Sequence, residues 1–269
     1  MEKYKYVFVI LIYRNSDDLV ECLESIKAKV SDYKVVIVNA YYDDKSMEEI
    51  KDIAEKHGCD FLNIENKGYS FGNNRGIEFA RAHYDFDYVI VSNPDIVIEQ
   101  FEDSFLGGKE CFDCIAPRIT TKSGKQQNPM KPVRFTLADR CVYLGFKEKK
   151  KVLLILGIGL NKIVRNAFIA FHHIRKDHKY KIFCAHGSFV MLKKNTIEEL
   201  YPVYDENLFL FAEEGVLATK LWERGLDTYY SDNIRIRHKE DGSMKLSSLN
   251  LNGELEKANL YVFEHYKMF

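Results

Sequence analysis

Residues 6–12 read Tyr-Val-Phe-Val-Ile-Leu-Ile, an unbroken apolar run that ends at the polar segment of residues 13–16. A strand buried on both faces has this composition, because helices cover both sides of a central parallel strand. Arg14 follows the run at once, and no small-residue cleavage site comes after it, so the run predicts a first strand and not a signal peptide.

Strand and helix patterns then alternate through the first hundred residues. Three further apolar runs predict strands, at residues 35–38, 61–64 and 88–92. Helical patterns between them predict one helix capped by Asn15 and Ser16, one with a capping box at residues 46–49, and one over residues 73–82. The order β-α-β-α-β-α-β predicts a parallel α/β sheet with right-handed crossovers.

The second half of the chain is less regular. Its patterns predict strands at residues 114–117, 183–192 and 227–238, and helices at residues 213–224 and 254–266. Residues 118–131 are polar and predict a loop. We expect one continuous domain made of an α/β half (1–100), an irregular half with a basic insert (101–244, insert 147–181) and a C-terminal helical tail (245–269).

Composition excludes several classes of protein. The chain has 269 residues, of which 46% are hydrophobic and 29% charged, as in a folded globular protein. Its 39 basic and 40 acidic residues give a net charge of -1, which disfavours a nucleic-acid partner held by overall charge. Of six scattered cysteines, only Cys111 and Cys114 lie close together, and no second pair follows at zinc spacing. We therefore expect reduced thiols, as in the cytosol.

The insert at residues 147–181 is strongly basic, with ten Lys or Arg against Glu148 and Asp177. Its longest nearly uncharged run, residues 152–160, is far shorter than the ~20 residues that span a bilayer. Three interpretations stay open: a solvated surface, a phosphate-binding patch for a lipid-diphosphate acceptor, or a helix on an anionic membrane surface.

Four polar stretches fall at predicted strand ends or in the loops that follow. They are residues 13–16, 66–76, 92–95 and 209–214. A doubly wound sheet brings such ends together, and its ligands bind beyond the carboxyl ends of the strands. We therefore expect all four stretches to line one crevice.

In this order, the stretches resemble family-2 glycosyltransferases, and among them the rhamnosyltransferase-like members of bacterial polysaccharide synthesis. Residues 66–76, Asn-Lys-Gly-Tyr-Ser-Phe-Gly-Asn-Asn-Arg-Gly, match the family's Asn-x-Gly segment. Asn93-Pro94-Asp95 matches the motif that stands in for Asp-x-Asp, residues 211–214 match the segment that carries the base, and His238 matches a final histidine. The resemblance covers residues 5–100 and 182–240.

The resemblance implies a GT-A fold, a mostly parallel Rossmann-like sheet flanked by helices. It implies an inverting transfer of a sugar from a UDP- or dTDP-sugar to a cell-surface polysaccharide or lipid-linked glycan, helped by Mg or Mn. The α/β half would bind the nucleotide-sugar, and the irregular half would bind the acceptor and carry the catalytic groups. The protein would be cytoplasmic, with peripheral membrane contact through residues 147–181 on the inner face of the cell membrane.

The residue roles follow the same resemblance. Glu214, and next to it Glu213, would be the base; Asp95 and His238 would hold the metal; His186 would contact the acceptor. Contacts with the nucleotide-sugar are expected from Tyr13, Asn15, Asn39, Asn66, Gly68, Asn73, Asn74, Asn93 and Asp95.

The residue types agree with this chemistry. A diphosphate leaving group gains negative charge, which a hard cation held by Asp95 would neutralise. Gly68 lets the backbone approach the nucleotide closely, and a carboxylate such as Glu214 can take the proton of an acceptor hydroxyl. The simpler alternatives are a turn capped by Asp95 and acids that merely suit the start of a helix.

Two departures from the family pattern leave competing functions open. Asn39 stands where the family has an aspartate that holds the nucleotide, and Val216 replaces a second acid. A non-catalytic homologue that binds a nucleotide or a glycan is therefore one alternative. A nucleotidyltransferase is another, although residues 13–16 lack the glycines of its phosphate-binding loop.

Overall fold

The computed structural model describes residues 1–107, 112–240 and 250–266, and all its described strands belong to one sheet. The strands are β1 (Glu2–Ile12), β2 (Tyr33–Ala40), β3 (Asp60–Ile64), β4 (Tyr84–Ser92), β5 (Ile96–Phe101), β6 (Cys114–Thr121), β7 (Lys179–Ile182), β8 (Phe189–Lys193) and β9 (Thr228–His238). The helices are α1 (Ser16–Lys29), α2 (Asp44–Lys56), α3 (Tyr69–His83), α4 (Thr136–Lys147), α5 (Lys151–Arg175), α6 (Lys194–Leu200), α7 (Glu213–Glu223) and α8 (Leu251–His265).

The first half folds as its alternating pattern predicts. The sheet order is β3-β2-β1-β4-β8-β6-β9-β5, and β1, β2, β3 and β4 pair in parallel. The run at residues 6–12 is the central strand, and its residues 7–10 are completely shielded from solvent. Because the side chains of a strand alternate, β1 contributes to an apolar core on each side of the sheet.

The second half extends the same sheet with antiparallel strands. β8 runs antiparallel to both β4 and β6, while β5 and β7 run antiparallel to β9. The loop predicted over residues 118–131 is wrong at its start, because residues 118–121 continue β6 by pairing in parallel with β9. The strand predicted over residues 183–192 begins only at Phe189, because Phe183 and Cys184 bond to the backbone of residues 131–132 instead.

Helix starts differ from the sequence predictions by a few residues. α3 begins at Tyr69 and its N-cap is Gly68, so Asn73 and Asn74 lie inside the helix and not at its start. α2 is capped by Asp43, whose carboxylate accepts from the Ser46 amide, so the predicted capping box at residues 46–49 is wrong. Cys111 and residues 245–249 and 267–269 of the predicted tail lie outside the described residues; α8 forms the described part of that tail.

The basic insert contains one continuous helix, α5, of 25 residues. By length and composition alone, α5 could cross a membrane, and only 6% of its most apolar 18-residue stretch is buried. The sequence did not predict this, because the uncharged run at residues 152–160 is too short. Two glycines bring α5 against α4: a Cβ on Gly157 would lie 2.6 Å from the carbonyl oxygen of Ala138, and one on Gly145 would lie 2.6 Å from the amide nitrogen of Leu154.

The α4–α5 contact gives a matched test of packing. We expect Gly157→Ala to lower the free energy of unfolding by about 1–3 kcal/mol, because the new methyl group overlaps the α4 backbone. Gly159→Ala, two residues away, should be neutral or stabilising by up to about 1 kcal/mol, because no described atom lies within 4 Å of its new Cβ and alanine favours a helix. Urea unfolding measures both; equal effects would refute the close helix contact.

Candidate functional site

The predicted site stretches meet at one edge of the sheet, where β1, β2 and β4 end. Because β8 is antiparallel to β4, its first residues lie beside the last residues of β4, and Ser92 pairs with Phe189. The Asn93 amide donates to the Ser188 carbonyl oxygen at 2.9 Å. This bond joins the turn that carries Asp95 to the segment that carries His186.

The segment at residues 66–76, a short loop up to Gly68 followed by the first two turns of α3, is held against the residues before α7. Gly68 has a φ of +97°, and a Cβ there would lie 2.3 Å from the Phe209 carbonyl oxygen, so only glycine fits. The Tyr69 amide donates to that same oxygen at 2.7 Å. The Tyr69 hydroxyl donates to the Gly187 carbonyl oxygen at 2.9 Å, and Gly187 precedes the residue that is bonded to Asn93. The loop and Asp95 therefore share one edge of the molecule.

The asparagines of this loop have different environments. Asn66 accepts from the Gly68 amide at 3.3 Å and helps to shape the turn. The Asn73 amide group donates to the Tyr69 carbonyl oxygen, while its own side-chain oxygen is buried without a hydrogen-bond partner among the described residues. Asn74 is buried and links α3 to residues 204–206 through three hydrogen bonds, so its side chain acts here as a structural tie. Their contacts with a nucleotide-sugar stay predictions.

The ends of β1 and β2 form a second cluster. The Arg14 guanidinium lies 3.9 Å from the centre of the Tyr42 ring, and Tyr13 meets that ring edge-on at 5.6 Å. The Asn15 side chain bonds to Asp18 instead of capping α1. Asn39 is buried at the tip of β2 and donates to the Asn63 side chain at 2.7 Å. Tyr13, Asn15 and Asn39 thus lie at the expected edge.

Asp95 and His238 form a buried pair across neighbouring strand ends. The Asp95 Oδ1 lies 3.3 Å from the His238 Nε2, and both residues are less than a tenth exposed. The Gln127 side chain fixes the histidine tautomer: its amide nitrogen donates to Glu240 at 3.0 Å, so its oxygen faces the His238 Nδ1 at 2.8 Å and accepts the proton there. In neutral His238 the lone pair of Nε2 is therefore directed at the carboxylate.

Two facing electron-pair donors suit a cation. Asp95 and His238 supply one oxygen and one nitrogen ligand, and a divalent ion commonly takes its remaining ligands from substrate phosphates and water. Within the described ranges, no group of three or more His, Cys, Asp and Glu side chains is placed to hold a metal by itself. The pair therefore fits a cation that binds together with a diphosphate.

His186 lies beside this pair, with its ring 5.6 Å from that of His238. The Ser188 amide donates to the His186 Nδ1 at 3.2 Å, so the neutral ring carries its proton on Nε2. Burial is the main cause that lowers the pKa of His186 to about 3, and a positive charge on neighbouring His238 acts in the same direction. His186 is thus a neutral hydrogen-bond donor at ordinary pH.

Glu213 and Glu214 open α7 and have unequal surroundings. Glu213 is 7% exposed, and its Oε2 lacks a hydrogen-bond partner in the described part of the chain. Burial, and then the charge of Glu214, raise the pKa of Glu213 well above its usual range. Desolvation also raises the pKa of Glu214, against hydrogen bonds from its own amide and from Gly187, whose amide lies 3.3 Å from Oε1. Glu214 is therefore the first of the two to ionise.

Several supporting residues were not predicted as part of the site. Gln127 orients His238, and the Asn128 side chain accepts from the His186 amide at 2.7 Å. The sequence placed both residues in a polar loop. They are 111 and 58 residues away from His238 and His186, so no short sequence motif could connect them with these partners. Lys239 was also missed; it donates to Asp18 at 2.7 Å and ties β9 to α1.

Comparison with known proteins supports the resemblance to family 2 over the first part of the chain and confirms the fold. Residues 7–103 match the family model of glycosyl transferase family 2. A hexosyltransferase of low-salt glycan biosynthesis, Agl10 of Haloferax volcanii, is 24% identical over 211 residues, which are 77% of this chain and 58% of the relative. The matched family segment covers β1 to β5 and includes the asparagine-glycine loop and Asp95.

A solved structure covers nearly the whole chain. The crystal structure of GalNAc-T7 with UDP, GalNAc and Mn2+ aligns with a TM-score of 0.62 at 14% identity, over 98% of this chain and 49% of that one. This match confirms the GT-A-like α/β fold. The chain spans between about half and three fifths of the length of these two proteins.

The pKa of His186 gives a testable dependence of stability on pH. The folded pKa lies below the unfolded value, so the unfolded state binds a proton more readily, and acid destabilises the fold as the pH falls from 6.5 towards 3. His186→Asn keeps an acceptor for the Ser188 amide but removes this titration. We expect the stability advantage of the wild type over this variant to shrink by up to about 1.4 kcal/mol per pH unit in that window.

Urea unfolding of both proteins at several pH values between 6.5 and 4 measures this difference. The subtraction cancels the opposite contribution of Glu213 and Glu214, whose raised pKa values destabilise the fold as the pH rises. A difference that does not change with pH would contradict a buried, neutral His186.

Proposed function

We propose that this chain, whose residues 7–103 form a glycosyltransferase family 2 segment, transfers a sugar from a UDP- or dTDP-sugar to a glycan acceptor. The acceptor would be a cell-surface polysaccharide or a lipid-linked glycan, and the sugar a hexose or a rhamnose-like deoxyhexose. One observation carries the proposal: the Asp95–His238 pair, the glycine loop and the two glutamates converge on one edge of the sheet. One relative is a hexosyltransferase of glycan biosynthesis and the similar structure was crystallised with UDP and GalNAc, which supports the proposal.

Asp95 and His238 would hold a divalent cation, Mg or Mn, together with the diphosphate. When bound, the ion neutralises the charge that develops on the diphosphate as the bond to the sugar breaks. The chain's own contribution is orientation: Gln127 fixes the tautomer of His238, and the Ser188–Asn93 hydrogen bond fixes the turn before Asp95. GalNAc-T7 was crystallised with Mn2+, which is consistent with such a requirement.

Glu214 is the proposed base. Its raised pKa makes the ionised carboxylate a better proton acceptor, while Glu213 keeps its proton beside it. In a single displacement, the acceptor hydroxyl gives its proton to Glu214 and its oxygen bonds to the anomeric carbon. The bond from that carbon to the diphosphate oxygen breaks on the opposite face, so the configuration inverts.

The remaining residues would bind the two substrates. The Tyr13 and Arg14 cluster and buried Asn39 would contact the nucleoside, while Asn66, Gly68 and Asn93 present backbone and amide groups nearby. His186 would donate its Nε2 proton to a hydroxyl of the acceptor, because Nδ1 is occupied by Ser188. The proposed location is the cytoplasm, against the inner face of the cell membrane.

A non-catalytic homologue that binds a nucleotide or a glycan is the second candidate. One observation favours it. Val216 stands where the family has a second acid, and it is completely buried in an apolar cluster with Leu208 and Phe263, so the chain has no carboxylate at that position. Asn39 likewise offers a neutral amide where the family has a carboxylate. Binding of UDP-sugars without any turnover, with or without manganese, would favour this candidate over the enzyme.

The metal assignment predicts the effect of Asp95→Asn. Loss of the charged ligand should lower the rate of transfer or donor hydrolysis at least about a hundredfold, since the leaving group is then less well neutralised. Release of nucleoside diphosphate measures it, with and without added manganese. Asp103→Asn is the matched control, because Asp103 bonds to Lys5 and Tyr6 at the opposite end of β1. Wild-type turnover by Asp95→Asn would refute the assignment.

The base assignment predicts unequal effects of two amide substitutions. Glu214→Gln should lower kcat by about 10²–10⁴, because the amide cannot accept the acceptor's proton. Glu213→Gln should lower kcat less than about tenfold, because glutamine resembles the protonated Glu213 that is already present. Steady-state kinetics over a pH range measure both, and the wild-type rate should fall as acid protonates Glu214. A larger loss from Glu213→Gln would reverse the two roles.

A further inference from the structure

We propose that α5 lies in the plane of an anionic lipid bilayer and docks the protein there through its outer face. α5 is about 37 Å long at 1.5 Å per residue, and it contains no acidic residue. Seven of its large apolar side chains are between 48% and 80% exposed: Val152, Ile155, Leu156, Ile158, Ile163, Phe171 and Ile174. A soluble protein seldom leaves so many together without a partner.

Five of these side chains form a stripe along the outer face of the helix, and Ile158 and Phe171 flank it on either side. At 100° per residue, Val152, Ile155, Leu156, Ile163 and Ile174 fall within an arc of about 100°. The exposed alanines 167 and 170 lie in or just beside the same arc, and Asn166 and His173 are its polar members. The stripe thus runs from the first turn of α5 to its last, as in helices that lie at a membrane interface.

The charges around the stripe select an anionic surface. Lysines 149–151 precede the helix or begin it, Lys162 lies at the border of the stripe, and Arg175 and Lys176 end it. Basic side chains at both ends can reach acidic headgroups while the stripe enters the boundary of the acyl chains. Charge complementarity therefore favours acidic lipid over a second copy of this chain, whose outer face would be equally basic.

The inner face of α5 distinguishes lying in the membrane from crossing it. Asn161 bonds to Asp139 at 3.4 Å, and Arg165 donates to the carbonyl oxygens of Gln126 and Pro129 at 2.5 and 2.6 Å. Further along, His172 stacks on Tyr180 with ring centres 3.9 Å apart. Because the domain covers this face from the second turn to the last, lipid can reach only the outer face.

Docking through α5 would bring the acceptor side of the cleft to the membrane. Arg165 holds residues 126 and 129, and between them Gln127 orients His238 and Asn128 holds the His186 amide. One short segment thus joins the docking helix to the proposed acceptor site. This extension, which rests on the proposed function, implies an acceptor carried by a membrane lipid; the docking itself rests on α5 alone.

Flotation of the full chain with vesicles tests docking without any enzyme assay. We expect binding to phosphatidylcholine vesicles containing about 30% phosphatidylglycerol and much weaker binding to phosphatidylcholine alone. Ile155→Glu combined with Ile163→Glu should weaken binding at least about tenfold, because both carboxylates enter the interface. Both positions are about two thirds exposed (69% and 66%), so the fold should survive, which a thermal melt verifies.

Two further variants complete the test. Val20→Glu introduces the same change on exposed α1 and should bind like the wild type. Lys151→Gln combined with Lys162→Gln should weaken binding to anionic vesicles. The binding that is left should depend less on salt concentration than that of the wild type, because fewer charges attract the headgroups.

Several outcomes would overturn the proposal. These are no flotation of the wild type, equal binding by the Ile155/Ile163 variant and Val20→Glu, or retention in membranes after alkaline carbonate extraction, which would indicate a spanning helix. If the wild type forms a dimer in solution and does not bind vesicles, and the Ile155/Ile163 variant is a monomer, the stripe would be assigned to contact with a second copy of the chain. Vesicle binding by a chain without transferase activity would leave docking intact and reject the proposed function instead.

Discussion

The site depends on the antiparallel pairing of β4 with β8. β4 is the last of four adjacent parallel strands, and Asn15, Asn39 and Asp95 lie at the carboxyl ends of these strands. If the next strand were also parallel, its first residues would lie at the opposite edge of the sheet. Because β8 runs the other way, it begins where β4 ends, and the Asn93–Ser188 hydrogen bond fixes that junction at 2.9 Å. His186 and Gly187 thereby come to the same edge as Asp95, and the Gly187 amide in turn donates to Glu214. The two halves of the chain meet at this edge of the sheet for this reason.

Sequence reasoning recovered the first half because its structure is local. Each strand from β1 to β4 is a short apolar run, each helix follows it directly, and parallel order leaves the polar residues at one edge. The shared edge of Asp95 and the segment at residues 66–76 follows from that order. The second half was harder, since β6, β8 and β9 pair with strands that are distant in the chain. A polar stretch such as residues 118–121 then becomes a strand because it pairs with the end of β9.

The supporting hydrogen bonds could not be predicted for the same reason. Gln127 and Asn128 are ordinary polar residues in a loop, and only the folded chain shows that one orients His238 and the other His186. Gly68 has a second role that the motif did not indicate: it lets the chain approach Phe209, which leads into α7, while its expected contact with the nucleotide stays a prediction. Motifs identify the groups that take part in chemistry more readily than the groups that hold them in place.

The same segment that orients the histidines also supports α5, and this links the cleft to the outer surface. Burying Arg165 against two carbonyl oxygens costs desolvation energy, which lowers the pKa of its guanidinium, yet the hydrogen bonds satisfy both oxygens and hold residues 126–129 in place. Two hydrogen bonds from Arg165 therefore connect α5 directly to the segment that contains Gln127 and Asn128. The position of the apolar stripe relative to His186 and His238 is thus set by direct contacts, because the segment bonded to α5 also carries Gln127 and Asn128.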